Sequence, residues 1–287
     1  MLNTVWFTKR KTENATSLLL GGFDGLHLGH RQLLSCAKEQ PYPIGVMTIF
    51  GGKGDCIFTK EERELVFQKA GVDFVFELSF SKIKDLSPKE FLTYLQAGLS
   101  PKILLCGEDF RFGAGAQGNP ATLEGIDGVT TKVLPLLEMD GKKVSSYEIK
   151  KCLAEGDISQ ANALLGERFF LIGEVVKDRQ VGRTLGFPTA NIFYPQDKCA
   201  LKKGVYETRV TVEGKAYKGI TNYGTRPTFQ DETLLTETYL DGFEGDLYGK
   251  RLRVEFVRYL RDVEKFDSAE ALKKQLQTDI RRVREHD

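Results

Sequence analysis

SLLLGGFDGLHLGHRQLLSCAKEQ, residues 17–40, decides the fold. SLLLGGF (17–23) reads as a buried strand, and RQLLSCAKEQ (31–40) continues as a helix. A strand that passes through paired glycines into a helix is the repeating unit of a parallel α/β sheet. The alternation recurs downstream. IGVMTIF (44–50) is a second strand, and a helix is predicted over 60–70, with Thr59 and Glu62 as a capping box and Gly71 as the stop. VDFVFEL (72–78) is a third strand. Ser87, Pro88 and Glu90 open another helix that Gly98 ends, and KILLC (102–106) and TKVLPLL (131–137) complete the series. A doubly wound α/β domain over residues 1–160 is expected.

After about residue 165 the pattern changes. FFLIGEVV (169–176), GVYETRVTV (204–212), KAYKGITNY (215–223), LLTETYL (234–240) and RLRVEFVRYL (251–260) are strand-like runs joined by glycine-rich turns. VEGK (212–215) marks a hairpin between two of them. Asp267 and Glu270 frame the start of one last helix, with Leu272, Leu276, Ile280 and Val283 on a single face. Residues 161–287 are therefore expected to form an antiparallel β-barrel with a terminal helix. KKCLAEGDISQANALLGE (150–167) reads as short helices joining the halves.

Length and charge narrow the function. A chain of 287 residues suits two domains, each with its own core. Its 41 Lys and Arg offset 40 Asp and Glu, so no global field directs it to nucleic acid or an anionic membrane. No apolar run approaches the roughly 20 residues that span a bilayer. The first residues, MLNTVWFTKRKTENATS, lack the apolar core of a signal peptide. The five cysteines are scattered, without a CxxC pair or a zinc-like cluster, and read as reduced, mostly buried thiols of a cytoplasmic protein.

Two of the three histidines, His27 and His30, stand together in GGFDGLHLGH (21–30), while His286 in the charged tail has no assigned role. The pair lies where a parallel strand ends and a helix begins, the place where open α/β sheets hold ligands. Gly21 and Gly22 let the backbone approach a phosphate, and the helix start offers free N–H donors. Histidines at i and i+3 share a face, from which both rings can donate to phosphate oxygens and stabilise charge on an α-phosphate during nucleotidyl transfer. An isolated HxGH is equally the start of an ordinary surface helix; the strand, the glycines and the position tilt the reading to a nucleotide site.

GGFDGLHLGH resembles the HxGH signature of the nucleotidylyltransferase superfamily, which includes class I aminoacyl-tRNA synthetases. More narrowly, the chain resembles bacterial bifunctional riboflavin kinase/FMN adenylyltransferases, or FAD synthetases, over about residues 15–285. GEDFRFG (107–113), VSSYEIK (144–150), GRTLGFPTAN (182–191), GTRPTF (224–229), LYG (247–249) and EKFDS (264–268) fall in that family's order. The resemblance implies that riboflavin is phosphorylated to FMN and FMN adenylylated to FAD, with ATP and Mg²⁺ in both steps and no nucleic-acid or membrane partner. In the first domain it implies ATP contacts from Gly22, Phe23, Asp24, His27 and His30, met from the opposite side by Ser145, Ser146 and Lys150. Asp109, Phe110 and Phe112 would form a flavin-side wall, core packing being the other reading of the two phenylalanines.

Two places depart from the family pattern. A threonine–phenylalanine–glutamate–proline–histidine–proline run is replaced by TIFGGKGD (48–55), and a threonine and an arginine by Tyr147 and Lys150. Lysine keeps the charge but loses the planar fork of arginine. An alternative follows: a working kinase whose first domain is a degenerate nucleotide- or flavin-binding module.

In GRTLGFPTAN the resemblance implies ATP contacts from Gly182, Gly186, Phe187 and Pro188, with Thr189 and Asn191 as oxygen ligands for Mg²⁺. It makes Glu237 the general base that takes the proton from the ribityl hydroxyl. A strand-borne glutamate is also an ordinary cross-strand partner for a lysine or arginine. Arg261–Ser268 reads either as a segment closing over the flavin or as a solvated cap.

Overall fold

The apolar runs of the first half become strands of one sheet. In the computed structural model, the described residues are 3–6, 15–52, 54–177, 188–227 and 232–286. Among them β1 (Asn3–Trp6), β2 (Thr16–Leu19), β3 (Ile44–Phe50), β4 (Phe74–Ser79), β5 (Pro101–Gly107) and β6 (Thr130–Leu134) pair in the order β1-β4-β3-β2-β5-β6. Every pair is parallel except β1 with β4. Helix α1 (Leu28–Lys38) follows β2, and α2 (Lys60–Ala70), α3 (Phe80–Ile83), α4 (Pro88–Leu99) and α5 (Pro120–Glu124) cross between later strands. Leu18, Leu20, Phe74, Phe76, Phe91 and Leu104 are buried in the shared core.

This order places the sheet's switch point. The chain steps outward from β2 through β3 to β4, then returns to the other side of β2 with β5. Strand order therefore reverses between β2 and β5, whose carboxyl ends lead into Gly21–Gly22 and Gly107.

Local signals held with adjustments. Ser87 caps α4 in a capping box with Glu90, as read from the sequence. The helix runs through Gly98 to Leu99, and Ser100 ends it in the left-handed region (φ 43°). β6 stops at Leu134 because Pro135 has no N–H to continue the ladder. SLLLGGF is strand only as far as Leu19; Phe23, buried and with φ 41°, turns the chain instead.

The second compact unit comprises Asp55–Thr59 and Tyr147–Asp287. Its helices α6 (Ser146–Glu155) and α7 (Ile158–Leu165) lead into β9 (Phe170–Glu174), after the small hairpin β7 (Glu138–Met139) and β8 (Lys142–Lys143) of the first unit. Then come β10 (Thr189–Phe193), β11 (Gly204–Val212), β12 (Lys215–Pro227), β13 (Glu232–Leu240) and β14 (Arg251–Arg261). The order β10-β13-β12-β11-β14-β9 is antiparallel throughout. Val176 N–H donates to the Asn191 carbonyl at 2.9 Å, bringing the two end strands together. Gly173 makes that approach possible, since a Cβ there would stand 2.2 Å from Ile192 Cγ2. The result is a nearly closed barrel. The predicted hairpin is a two-residue turn with both Glu213 (φ 52°) and Gly214 (φ 81°) at positive φ, the twist that fits flanking strands.

Asp55–Thr59 is held by backbone and aromatic contacts that local sequence does not announce. Cys56 N–H donates to the Asp197 carbonyl at 2.7 Å, and Phe58 stacks on Phe170 at 4.6 Å. Lys198, almost fully buried, donates to the Ile57 carbonyl and lies over the Phe58 and Phe169 rings. The five cysteines are free, but only Cys106 and Cys199 are buried, against the expectation of mostly buried thiols. Burial pushes the Cys106 thiol up to about 11.

The terminal helix α8 (Ala269–Arg284) is capped by Ser268, whose hydroxyl accepts from Ala271 N–H; Asp267 and Glu270 only flank the start. Ile280 and Val283 reach the core, with Leu276 partly buried against it. His286 has a partner after all, its ring meeting the buried Glu207 carboxylate at 3.1 Å. Asp279 on α8 is fully buried and pairs with Arg261 at 2.8 Å, while Gln275 donates to it at 2.9 Å. Removing one partner of a buried pair leaves the other uncompensated. Asp279→Ala is therefore expected to destabilise this unit by about 3–5 kcal/mol, read as a lower urea midpoint for the transition that unfolds the barrel. A shift below about 1 kcal/mol would mean that Arg261 finds water instead.

Candidate functional site

The first site is built on the turn after β2. His27 is the N-cap of α1, and its Nδ1 accepts from His30 N–H at 3.3 Å. An accepting Nδ1 leaves the proton of the neutral ring on Nε2, free to donate. His30 Nδ1 lies 2.8 Å from the Gly25 carbonyl, which can only accept. Neutral His30 therefore carries its proton on Nδ1 and shows a bare Nε2. The sequence reading treated the rings as equal donors; as neutral groups they are not, and His30 donates outward only when it gains a second proton.

The rings lie face to face, His27 on His30 at 3.6 Å and His30 on Phe23 at 4.1 Å. Burial, then the Lys143 charge, lowers His27 to about 4. Burial, then the neighbouring His27, holds His30 well below the usual histidine range. Both rings are neutral at pH 7 before any anion arrives. The two glycines divide their work. A Cβ on Gly21 would stand 2.9 Å from the Phe23 ring, so Gly21 makes room for the stack, whereas Gly22 faces open space. Asp24 pairs with Arg63 of α2 at 3.6 Å and braces the turn.

A cavity of about 300 Å³ opens here, between the ends of β2 and β5. Gly22, His27, His30, Asp109, Phe110 and Ser145 line it, which brings together groups from three separated motifs. Phe112 lies behind Phe110 in the core, 5.1 Å from Phe91. Ser146 begins α6, Tyr147 is exposed, and Lys150 donates to the Asp55 carbonyl. The sequence reading missed Lys143, which lines the cavity and pairs with Asp109. Its only local signal is a two-lysine run just before the double serine.

The second site lies on the barrel. Gly182, Gly186 and Phe187 lie outside the described residues. Pro188 lines a cavity of about 420 Å³ with Thr189, Asn191, Phe243 and Tyr248. The TAN part of the motif is strand β10 rather than loop, and β10 pairs with β13 so that Asn191 stands opposite Glu237 and Thr189 opposite Tyr239. Paired residues share a face. Glu237 in turn stands opposite Asn222 on β12, giving a row Asn191–Glu237–Asn222 across three strands. Glu237 and Asn222 line a neighbouring cavity of about 210 Å³ with Lys203, Thr225 and Val263. Val263 belongs to the segment read as a closing flap or a cap.

Whether these residues suit a hard cation can be judged from Asn191. It is 6% exposed and its Oδ1 has no hydrogen-bond partner among the described residues. An orphaned amide oxygen beside a threonine hydroxyl on one strand face fits an oxygen-seeking divalent ion. Among the described residues no group of three His, Cys, Asp or Glu could hold a metal, so such an ion would rely on neutral oxygens and its ligand's own phosphates.

Comparison with known proteins covers both halves. The FAD synthetase family model matches residues 9–148 and the riboflavin kinase model residues 165–286. A bifunctional riboflavin kinase/FMN adenylyltransferase of Bacillus subtilis is 32% identical, the alignment covering 94% of this chain and 92% of the relative. One from Pseudomonas fluorescens is 35% identical over 92% of this chain and 91% of its own length. A crystal structure described as a macrolide-efflux protein from Streptococcus pneumoniae superposes with a TM-score of 0.87 at 29% identity, covering 96% of each chain. Among the described residues of this chain, no helix is long and apolar enough to cross a membrane.

Proposed function

Since the chain belongs to the family of bifunctional riboflavin kinase/FMN adenylyltransferases, we propose that its two phosphate-handling sites divide one synthesis between them. The chain phosphorylates riboflavin to FMN with ATP, then adenylylates FMN to FAD with release of pyrophosphate. Full-length relatives carrying both activities support this over the degenerate alternative, since both halves match their respective families.

In the barrel, ATP enters the cavity beside Pro188, Thr189 and Asn191, and the alcohol end of riboflavin enters the cavity beside Glu237. Thr189 and Asn191 would hold Mg²⁺, which when bound neutralises charge on the phosphates. Glu237 takes the proton of the attacking hydroxyl as the new P–O bond forms and ADP leaves. The observation that carries this assignment is the register that sets Asn191 opposite Glu237.

In the α/β unit, His27 and His30 hold the phosphates of ATP at the sheet's switch point. Ser145 and Lys143 face them from the other wall, and Phe110 with Asp109 faces the flavin. The FMN phosphate attacks the α-phosphorus, pyrophosphate leaves, and the chain's part is to orient the reactants and offset charge on the α-phosphate. The test is direct. Riboflavin, ATP and Mg²⁺ are incubated with the full chain and the products separated by chromatography. FMN is expected first, followed by FAD with equimolar pyrophosphate. FMN that accumulates without FAD would return the first unit to a binding role.

A further inference from the structure

Asn222 is a polar group that neither the fold nor the assigned roles account for. It stands in register with Glu237 and lines the same cavity. Its Oδ1 is closed to water and has no hydrogen-bond partner among the described residues. Asn191, on the other side of Glu237, shares that deficit, but its oxygen is explained by the proposed cation. Two strands away from that cation, the Asn222 oxygen needs another partner. A buried acceptor left without a donor is costly, and native proteins keep few of them. Asn222 is only partly buried and lines the cavity beside a candidate base, so a turn of its amide brings that oxygen to a ligand that supplies the missing donor.

The cavity limits what that ligand is. Lys203 and Thr225 are hydrogen-bonded to each other at 3.2 Å, and Leu235 and Val263 contribute apolar surface. An occupant must offer one hydroxyl to Glu237 and a second O–H to Asn222. Adjacent hydroxyls on one carbon chain do both; a simple alcohol does not. We propose that Asn222 is a substrate-binding residue whose Oδ1 accepts a hydrogen bond from a non-reacting hydroxyl of the polyol chain, fixing the reacting hydroxyl in front of Glu237. It would select a polyhydroxylated acceptor over one with a single alcohol. This rests on the reading of Glu237 as the base.

The experiment pairs side chain with hydroxyl. Kinase activity of the full chain is measured with riboflavin and with analogues in which one non-reacting ribityl hydroxyl is replaced by hydrogen. For one analogue the unaltered chain should lose about tenfold or more in kcat/KM, because a site built to pair a hydroxyl rejects its absence. In Asn222→Ala the same removal should cost less than about twofold, with KM for ATP unchanged within about twofold. A purely structural role would lower activity equally on every substrate. Equal losses in both proteins, or no loss on any analogue, would overturn the proposal. If Asn222→Ala does not fold, Asn222→Ser, which withdraws the oxygen by one carbon, gives the same comparison. Binding of riboflavin and the analogues, followed by flavin fluorescence in a Glu237→Gln background, separates the two ideas. Full turnover by Glu237→Gln defeats the base assignment, while hydroxyl discrimination in binding still reports on Asn222.

Discussion

Glu237→Gln is expected to lower FMN formation by about 10²–10⁴-fold while riboflavin binding stays nearly intact. The substitution keeps the volume and the hydrogen-bonding reach of the side chain, so the row between Asn191 and Asn222 keeps its packing. What it removes is an atom that can accept a proton. A primary alcohol is a poor nucleophile until its proton has somewhere to go, and the proton must leave as the bond to phosphorus forms. Riboflavin turnover and flavin binding measured on the same preparation separate chemistry from affinity. FAD formation from added FMN serves as an internal control, since Glu237 lies in the barrel unit and the histidines in the other. Undiminished FMN formation would remove the carboxylate from the chemistry and leave Glu237 as a cross-strand partner.

The contrast between the two sites shows what a sequence can state about itself. The α/β site was legible because its parts are local: a short strand, two glycines, and histidines three residues apart on a helix start. Strand alternation fixed the sheet type, and with it the end at which ligands sit. Lys143 was not legible, because its meeting with Asp109 depends on where β8 falls relative to the turn that follows β5. In the barrel the dependence on tertiary register is stronger. GRTLGFPTAN (182–191) carries no strand assignment from its sequence, and only pairing with β13 makes Thr189–Phe193 a strand and sets Asn191 against Glu237. Asn222 had no signal at all, since an asparagine in an ordinary strand becomes unusual only when its neighbours leave its oxygen unpaired. Phe23 was misread for a related reason. A bulky residue at φ 41° is disfavoured locally and persists because its ring packs under His30 and over Gly21.

That stack makes the histidine site sensitive to a single truncation. His30→Ala is expected to cut FAD formation by about 10²–10³-fold with FMN formation unchanged, the size found when one donor to a developing anion is lost. The tautomers add a second, sharper expectation. His27 can donate to phosphate as it stands, but His30 is held with its proton toward the Gly25 carbonyl and must be doubly protonated to donate outward. Burial keeps His30 neutral in the free protein. Phosphate anions at the cavity favour the charged ring and raise its proton affinity. Between the low value of the free protein and the higher one of the complex, the complex holds more protons, so binding draws protons from solution. ATP affinity at this site should therefore weaken as pH rises through the value of the complex and level off below that of the free protein. Calorimetric titration in buffers of differing ionisation enthalpy measures the uptake, and the difference between the unaltered chain and His30→Ala isolates the share of this ring from ATP bound at the barrel. Identical uptake in the two proteins would assign the proton elsewhere, and undiminished FAD output from His30→Ala would remove the paired histidines from the reaction altogether.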